Sequence, residues 1–377
     1  MQVLILSFFI SFVVTLLLIH FDHLHLHLSG DHVTKGAQKY HVHPVPRIGG
    51  VPIMLAMLAV LGLLAFRDLK LAESMALLMV AGMPAFLGGL MEDVTKKVGV
   101  GLRLGLTCFS AVLAYILFGA LLNRIDLPWI DPFLAYWPVA LMLTAVAVGG
   151  VANAVNIIDG YNGLAAMVCI LILGALGYVG YLVGDALVWN TALVMVGGSL
   201  GFMVWNWPRG MIFLGDGGAY FKGFMIGELS VLLVMRNPQV SAWFPLLLVV
   251  YPVFETLFSV YRKKVLRGMS PGVPDAVHLH MLIHKRVVRF AVGTKLAELK
   301  MVRNSLTSPY LWVLCSLSVF PAMMLWKNTL WLQILVGVFV IAYLWLYRAM
   351  VRFKVPRLLL LGAVAHTEKK SPETGKM

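Results

Sequence analysis

Eleven apolar runs of roughly spanning length alternate with short polar segments, near 1–19, 51–66, 74–91, 104–122, 138–154, 163–183, 187–205, 218–235, 243–261, 309–326 and 328–349. A helix needs about 20 apolar residues to cross the hydrocarbon core of a bilayer. The pattern predicts an all-α polytopic integral membrane protein with about eleven transmembrane helices. Residues 1–350 read as one membrane domain and 351–377 as a basic tail without the composition for a core. The opening MQVLILSFFISFVVTLLLIH lacks a basic leader and a small-residue cleavage site, so it reads as a retained span.

The polar residues are distributed unevenly between the two sets of connections. The odd-numbered connections, the C-terminal tail and Lys222 carry 25 of the 30 lysines and arginines. The even connections hold Arg67, Lys70, Arg124, Arg236 and Lys327. Cytoplasmic loops are enriched in these residues, so the odd connections and the C-terminus are expected in the cytoplasm and the N-terminus outside. The odd connections also carry HVHPVPRIGG, EDVTKKVGVGLR, NAVNIIDGYNG, FLGDGG and SPGVPDAVHLHMLIHKR, whereas the even ones offer little beyond turn chemistry. Five polar loops on one membrane face predict a site at the cytoplasmic boundary.

Composition sharpens this without redirecting it. Hydrophobic residues make up 60% of the 377 and charged ones 12%, with mean hydropathy +0.88, which excludes a soluble fold. The net charge of +13 belongs to the membrane-facing loops, and no nucleic-acid partner is expected. Cys108, Cys169 and Cys315 all lie in apolar runs and read as packing residues.

Candidate chemistry is concentrated in the odd loops. Asn153, Asn156, Asp159 and Asn162 recur every third residue, sharing one drifting face of a helix end between uncharged runs. An ionisable group in that setting reads by default as functional. Glu92-Asp93 follows an uncharged run; adjacent carboxylates suit a metal or cationic ligand, or simply anchor a solvated helix end. Phe213-Leu-Gly-Asp216-Gly-Gly218 places a carboxylate among glycines at a helix start, suited to a phosphate and a divalent cation or to plain capping. Asp275, His278, His280 and His284 lie beside Arg286 and Arg289, as a phosphate-binding or a headgroup-binding loop would have them. Seven of the eleven histidines fall between His20 and His43, read as an interfacial segment more readily than as a metal site. Pro44-Val-Pro46-Arg47-Ile-Gly49-Gly50 offers a rigid turn with glycines where backbone approaches a ligand.

In this order and on alternate loops, PVPRIGG, ED, NAVNIIDGYNGLA, FLGDGG and D-x-x-H-L-H resemble the polyprenyl-phosphate N-acetylhexosamine-1-phosphate transferases, glycosyltransferase family 4. The resemblance runs from about Gln38 to Lys285. It implies a Mg²⁺-dependent enzyme of the bacterial inner membrane, with Mn²⁺ as the alternative ion, acting on the cytoplasmic face. The implied reaction moves a sugar 1-phosphate from a UDP-sugar to undecaprenyl phosphate and releases UMP, starting a cell-envelope polysaccharide. Asp216 then looks like the principal Mg²⁺ ligand and Asn156 the second; Asp93 matches the candidate base or nucleophile, and Asp159 a required acid. Asn162 and Phe213 match positions holding uracil, Arg103, His278 and His280 resemble contacts to diphosphate and sugar, and Arg47 and Gly49 fall in the first motif. The chain departs from the common pattern at Glu92, at Asn162 and at Met281, where family members usually carry Asp, Asp and His.

Other classes account for less of the sequence. A transporter of an anionic metabolite or lipid-linked sugar explains the spans but not acidic, glycine-rich motifs on one face. A CDP-alcohol phosphotransferase requires D-G-x-x-A-R, and Asp159-Gly160 continues Tyr-Asn-Gly. No motif identifies the donor sugar or specifies an oligomeric state, so a homodimer stays open.

Overall fold

A computed structural model describes residues 1–31, 44–270, 277–288 and 299–353. Asp275, Arg289, His32, His41, His43 and all but the start of the 351–377 tail lie outside the described residues. The helices, in chain order, are α1 Gln2–His20, α2 Asp22–Ser29, α3 Gly50–Ala65, α4 Leu69–Thr95, α5 Val100–Phe118, α6 Asp131–Leu134 and α7 Trp137–Ile158. They continue with α8 Leu164–Leu182, α9 Ala186–Asn206, α10 Gly215–Arg236, α11 Trp243–Leu248, α12 Val250–Tyr261, α13 Leu279–Ile283, α14 Leu299–Leu325 and α15 Thr329–Val351. Two π-helical turns, Arg262–Leu266 and His284–Val288, follow α12 and α13.

Each of the eleven apolar runs is helical. Among the described residues nine helices are long and apolar enough to cross a membrane, which with the burial pattern makes this a multi-pass membrane protein. The second run, α3, has 16 residues. The ninth is broken between α11 and α12 at Val249. Pro252 explains the break, because a proline ring collides with the carbonyl four residues earlier, here that of Leu248. The tenth helix begins at Leu299, ten residues before its apolar run, and carries polar residues into the protein.

The helix α10 is the axis of the bundle. Its spanning window is 94% buried, against 17% for α15. It packs on α4 and α7 and also touches α3, α5, α8 and α9. Gly223 and Gly227 lie against Ala152 and Val148 of α7, so the two backbones approach closely, as small residues permit in membranes. Phe9, Ile116, Leu317 and Ile341 face outward from the perimeter helices, as lipid-facing side chains do.

The histidine-rich start is helical over α2. Residues two apart on a helix point to different sides, so His25 faces away from His23 and His27, which lie four apart on one face. The ring of His25 is held by Ser29 Oγ at 2.8 Å and the Leu18 carbonyl at 2.9 Å. After α2, a short strand β1, Gly30–Asp31, pairs antiparallel with β2, Val45–Pro46, and the Arg47 amide donates to Ser29 O at 2.9 Å. This N-terminal strap delivers Arg47 to the bundle.

Candidate active site

Two of the motifs are joined backbone to backbone. The Phe213 amide donates to Pro46 O at 2.8 Å, and the Gly49 and Gly50 amides donate to Phe213 O at 2.9 Å and Leu214 O at 3.0 Å. Gly49 has no room for a side chain: a Cβ there would stand 2.3 Å from the Phe202 ring and 2.7 Å from Phe213 O. Gly215 turns the chain into α10 with φ +74°, and a Cβ on it would meet Arg47 O at 2.1 Å and Asp93 Oδ2 at 2.6 Å.

Asp93 closes the start of α10 from another helix. Its Oδ1 accepts from the Asp216 amide at 2.9 Å and its Oδ2 from the Gly217 amide at 2.8 Å. A helix N-terminus leaves such amides without intrahelical partners, and a carboxylate there also complements the helix dipole. Asp93 is 1% exposed, and Arg47 Nε stands 3.7 Å from Oδ1.

The Asp216 carboxylate gathers three further elements. Oδ1 accepts from Arg47 Nη2 at 3.1 Å and from Asn156 Nδ2, on α7, at 2.9 Å. Oδ2 pairs with Arg103 Nη1 of α5. The Arg103 guanidinium lies 5.6 Å from the centre of the Tyr220 ring, and Tyr220 donates to Asn153 Oδ1 at 3.3 Å. Asn153 thus sits inside α7 and holds Tyr220. Two arginines and two aspartates balance in charge, the condition under which buried ions are tolerated. The Arg47 side chain, 29% exposed, opens the cluster to solvent.

Asp159 follows the last turn of α7. Burial pushes its carboxyl up to about 6, against the pull of Arg47 and Lys222. Glu92 and Asp93 lie within the last turn of α4, which ends at Lys96 in the left-handed conformation, φ +56°. Their tasks differ: Glu92 Oε2 accepts from the Val98 amide at 2.7 Å and closes the α4–α5 turn.

The remaining candidates lie around the Asp159 loop. Asn162 is 5% exposed; its amide N–H donates to Asn304 Oδ1 at 2.8 Å, and Nδ2 donates to Pro208 O and Ser305 Oγ at 3.2 and 3.3 Å. None of these partners belongs to the Asp216 cluster. His278 binds Glu255 Oε1 through Nδ1 at 2.9 Å. His280 is wholly buried between His278 and Tyr161, and neither ring nitrogen has a hydrogen-bond partner among the described residues. Burial lowers the His280 ring to about 3, so it is neutral near pH 7. His284 Nδ1 contacts Thr307 Oγ1 at 3.0 Å, anchoring that turn to α14.

The donor set fits magnesium in one specific way. Asp216 and the side-chain oxygen of Asn156 are hard ligands, and Mg²⁺ is commonly held by one or two protein oxygens with substrate phosphates and water completing the shell. No group of three His, Cys, Asp or Glu side chains among the described residues forms a closed metal cage.

Sequence reasoning missed Asn206, Asn304, Ser305 and Ser308, which fasten the loop at Asn162-Gly163, and it missed Glu255. Glu255 carried a signal, being a lone carboxylate in an otherwise uncharged run. The polar residues of α14 carried none, since their run began below them.

Fold and site together define a membrane protein with an arginine–carboxylate centre where several helices end. The chain matches the family model of glycosyl transferase family 4 over residues 75–234. It is 28% identical over 270 residues to the "probable undecaprenyl-phosphate N-acetylglucosaminyl 1-phosphate transferase" of Bacillus subtilis (strain 168), covering 70% of this chain and 71% of that one. It is 27% identical over 277 residues to the decaprenyl-phosphate N-acetylglucosaminephosphotransferase of Mycolicibacterium smegmatis, covering 64% and 65%. It is 27% identical over 245 residues to a phospho-N-acetylmuramoyl-pentapeptide-transferase of Streptococcus pneumoniae, covering 62% and 73%. The family segment holds Asp93, Arg103, Asn156, Asp159 and Asp216, while Arg47 and the histidine loop lie outside it.

Proposed function

We propose that the chain transfers an N-acetylhexosamine 1-phosphate from a UDP-sugar to undecaprenyl phosphate, releasing UMP and initiating a cell-envelope polysaccharide. In this reading it sits in the bacterial inner membrane with the odd connections and C-terminus in the cytoplasm and the N-terminus outside. The observation that carries it is Asp216, set between Arg47, Arg103 and Asn156 at the start of the buried α10. The names of the relatives supply the acceptor class and the hexosamine.

The chemistry follows from what the cluster offers. An oxygen of the lipid phosphate attacks the phosphorus that carries the sugar. The bond to the bridging oxygen breaks, and its electron pair leaves with UMP. A magnesium ion on Asp216 and Asn156 would supply charge for the diphosphate and the departing phosphate. Arg47 and Arg103 then exchange Asp216 for phosphoryl oxygens, as guanidinium forks suit such groups. The acceptor's second ionisation lies at about 6, so it is mostly dianionic near neutral pH and needs little base assistance. The engagement of Asp93 with two α10 amides supports positioning, in a direct displacement, over a covalent role.

The polyprenyl chain extends well beyond this centre and needs apolar surroundings there. A cavity of about 330 Å³ between α7, α10 and α11 is lined by Leu122, Leu143, Val151, Val231, Trp243 and Val249. It reaches Gly227, about 16 Å along α10 from Asp216. We assign the lipid chain to it.

The test is purified protein with Mg²⁺, undecaprenyl phosphate and a panel of UDP-sugars, reading UMP. Release from none by folded protein overturns the proposal. Exchange of labelled UMP into UDP-sugar without acceptor overturns the direct displacement.

A further inference from the structure

Outside the Asp216 cluster, the most fully partnered buried carboxylate on the site side of the bundle is Glu255. It lies mid-way along α12, is fully buried, and takes three donors. His278 Nδ1 and the Leu279 amide reach Oε1 at 2.9 and 3.1 Å, and the Tyr343 hydroxyl reaches Oε2 at 2.7 Å. A buried carboxylate is tolerated only when paired and hydrogen-bonded, and three donors satisfy that condition. An ionised carboxylate can only accept, so Nδ1 must carry the hydrogen and the tautomer of His278 is fixed. Nε2 has no hydrogen-bond partner among the described residues and is the nitrogen left for a ligand.

The ring's plane is fixed as well as its tautomer. His278 stacks on His280 with centres 5.2 Å apart and planes within 5°. His280 packs edge-on against Tyr161 at 5.6 Å, and its Nε2 is 3.7 Å from where a Cβ on Gly160 would stand. His278 is therefore braced against the loop that carries Asp159. One turn along α15 from Tyr343, the Tyr347 hydroxyl donates to Val277 O at 3.1 Å and accepts from Arg262 Nη1 at 3.1 Å.

This is an odd use of a peripheral helix. The buried face of α15 is the stripe Leu332, Phe339, Tyr343, Tyr347 and Met350. Apolar side chains would pack there equally well. Instead two hydroxyls reach the polar atoms that fix the turn at His278.

We propose that Glu255 and Tyr343 are positioning residues for His278, orienting its Nε2 toward a phosphoryl oxygen of the nucleotide-sugar, so that the last helix is part of the donor-binding apparatus. The assignment rests on the transferase reading for its ligand and on the geometry for its parts. When protonated, an imidazole so held donates to the phosphate without reorganisation.

The test uses the full chain in nanodiscs. In ¹⁵N-histidine spectra of wild type, His278, assigned by its loss in His278→Gln, shows hydrogen on Nδ1. Glu255→Gln lowers kcat/KM for the UDP-sugar about 10- to 100-fold, as loss of an orienting partner does elsewhere. Tyr343→Phe lowers it about three- to tenfold, one net hydrogen bond. Both act chiefly through KM for the donor and leave KM for the lipid unchanged. Glu255→Gln combined with His278→Gln is no worse than His278→Gln alone. Hydrogen on Nε2 with Nδ1 bare, full additivity of that pair, or unchanged kinetics and spectrum in Tyr343→Phe each overturn the assignment. If wild type turns over no UDP-sugar, the transferase reading fails, while the tautomer in wild type and Tyr343→Phe still decides whether Glu255 and Tyr343 fix the ring.

Discussion

The two ends of the helix bundle use the same residue types for opposite purposes. At the even-connection end, Arg124 pairs with Asp126 at 2.6 Å, and its Nη2 reaches the carbonyls of Val234, Pro238 and Val240 at 2.7 to 3.3 Å. Asp126 Oδ2 accepts from Ser241 Oγ and the Ala242 amide at 3.1 and 2.7 Å. The helices starting there are capped locally, α4 by Asp68, α9 by Asp185 and α15 by Asn328. At the other end, α10 is capped by Asp93 from a different helix, and Asp216 is held by side chains of three elements. Arg103 Nε has no hydrogen-bond partner among the described residues. Backbone carbonyls cannot leave an arginine for a ligand; side chains from separate elements can. An arginine–aspartate pair is thus structural or functional according to what else it touches.

Substitutions should separate the ends. The largest effect among these is expected of Asp93→Asn, which sets an amide N–H₂ against an α10 amide. UMP release should fall by about a hundredfold or more, the range seen when a preorganised electrostatic contact is lost. Arg103→Met removes one charged partner and should cost about 10- to 100-fold in kcat/KM for the donor. Arg124→Ala, at the other end, should lower stability by about 2 kcal/mol in thermal unfolding and leave kcat of the folded protein within about twofold. Glu92→Gln should be nearly silent in the same transfer assay, because an amide oxygen still accepts from Val98.

His280 gives the comparison a pH dependence. Its folded imidazole takes a proton only near 3, whereas an unperturbed one does so at 6.5. Between those values the unfolded chain binds more protons, so this contribution to stability is complete above about 6.5 and is lost as pH falls toward 3. His280→Gln should flatten the acid limb of a melting-temperature profile taken from pH 7 to 4.

The fold was legible because membrane helices announce themselves by apolar length, and each of the eleven runs became helical. The break at Val249 was also readable in principle, since Pro252 stands in the run, but hydropathy is blind to it. The site was legible as a set of loops and less so as a set of roles. Adjacent acids at 92 and 93 look equivalent in a string, and only the backbone of α10 distinguishes them. Asn162 sits in the most informative motif, yet its amide fastens the loop to Pro208 and Ser305 across a distance no spacing rule encodes. Glu255 and Tyr343 meet across 88 positions, beyond local pattern.

The central claim is that sugar-phosphate transfer takes place on Asp216. Its most direct test is acceptor-dependent UMP release by wild type and Asp216→Asn in parallel, each with Mg²⁺ and then with excess chelator. The account predicts release by wild type that chelation abolishes, and none by a folded Asp216→Asn under either condition. Release by Asp216→Asn at the wild-type rate would contradict it.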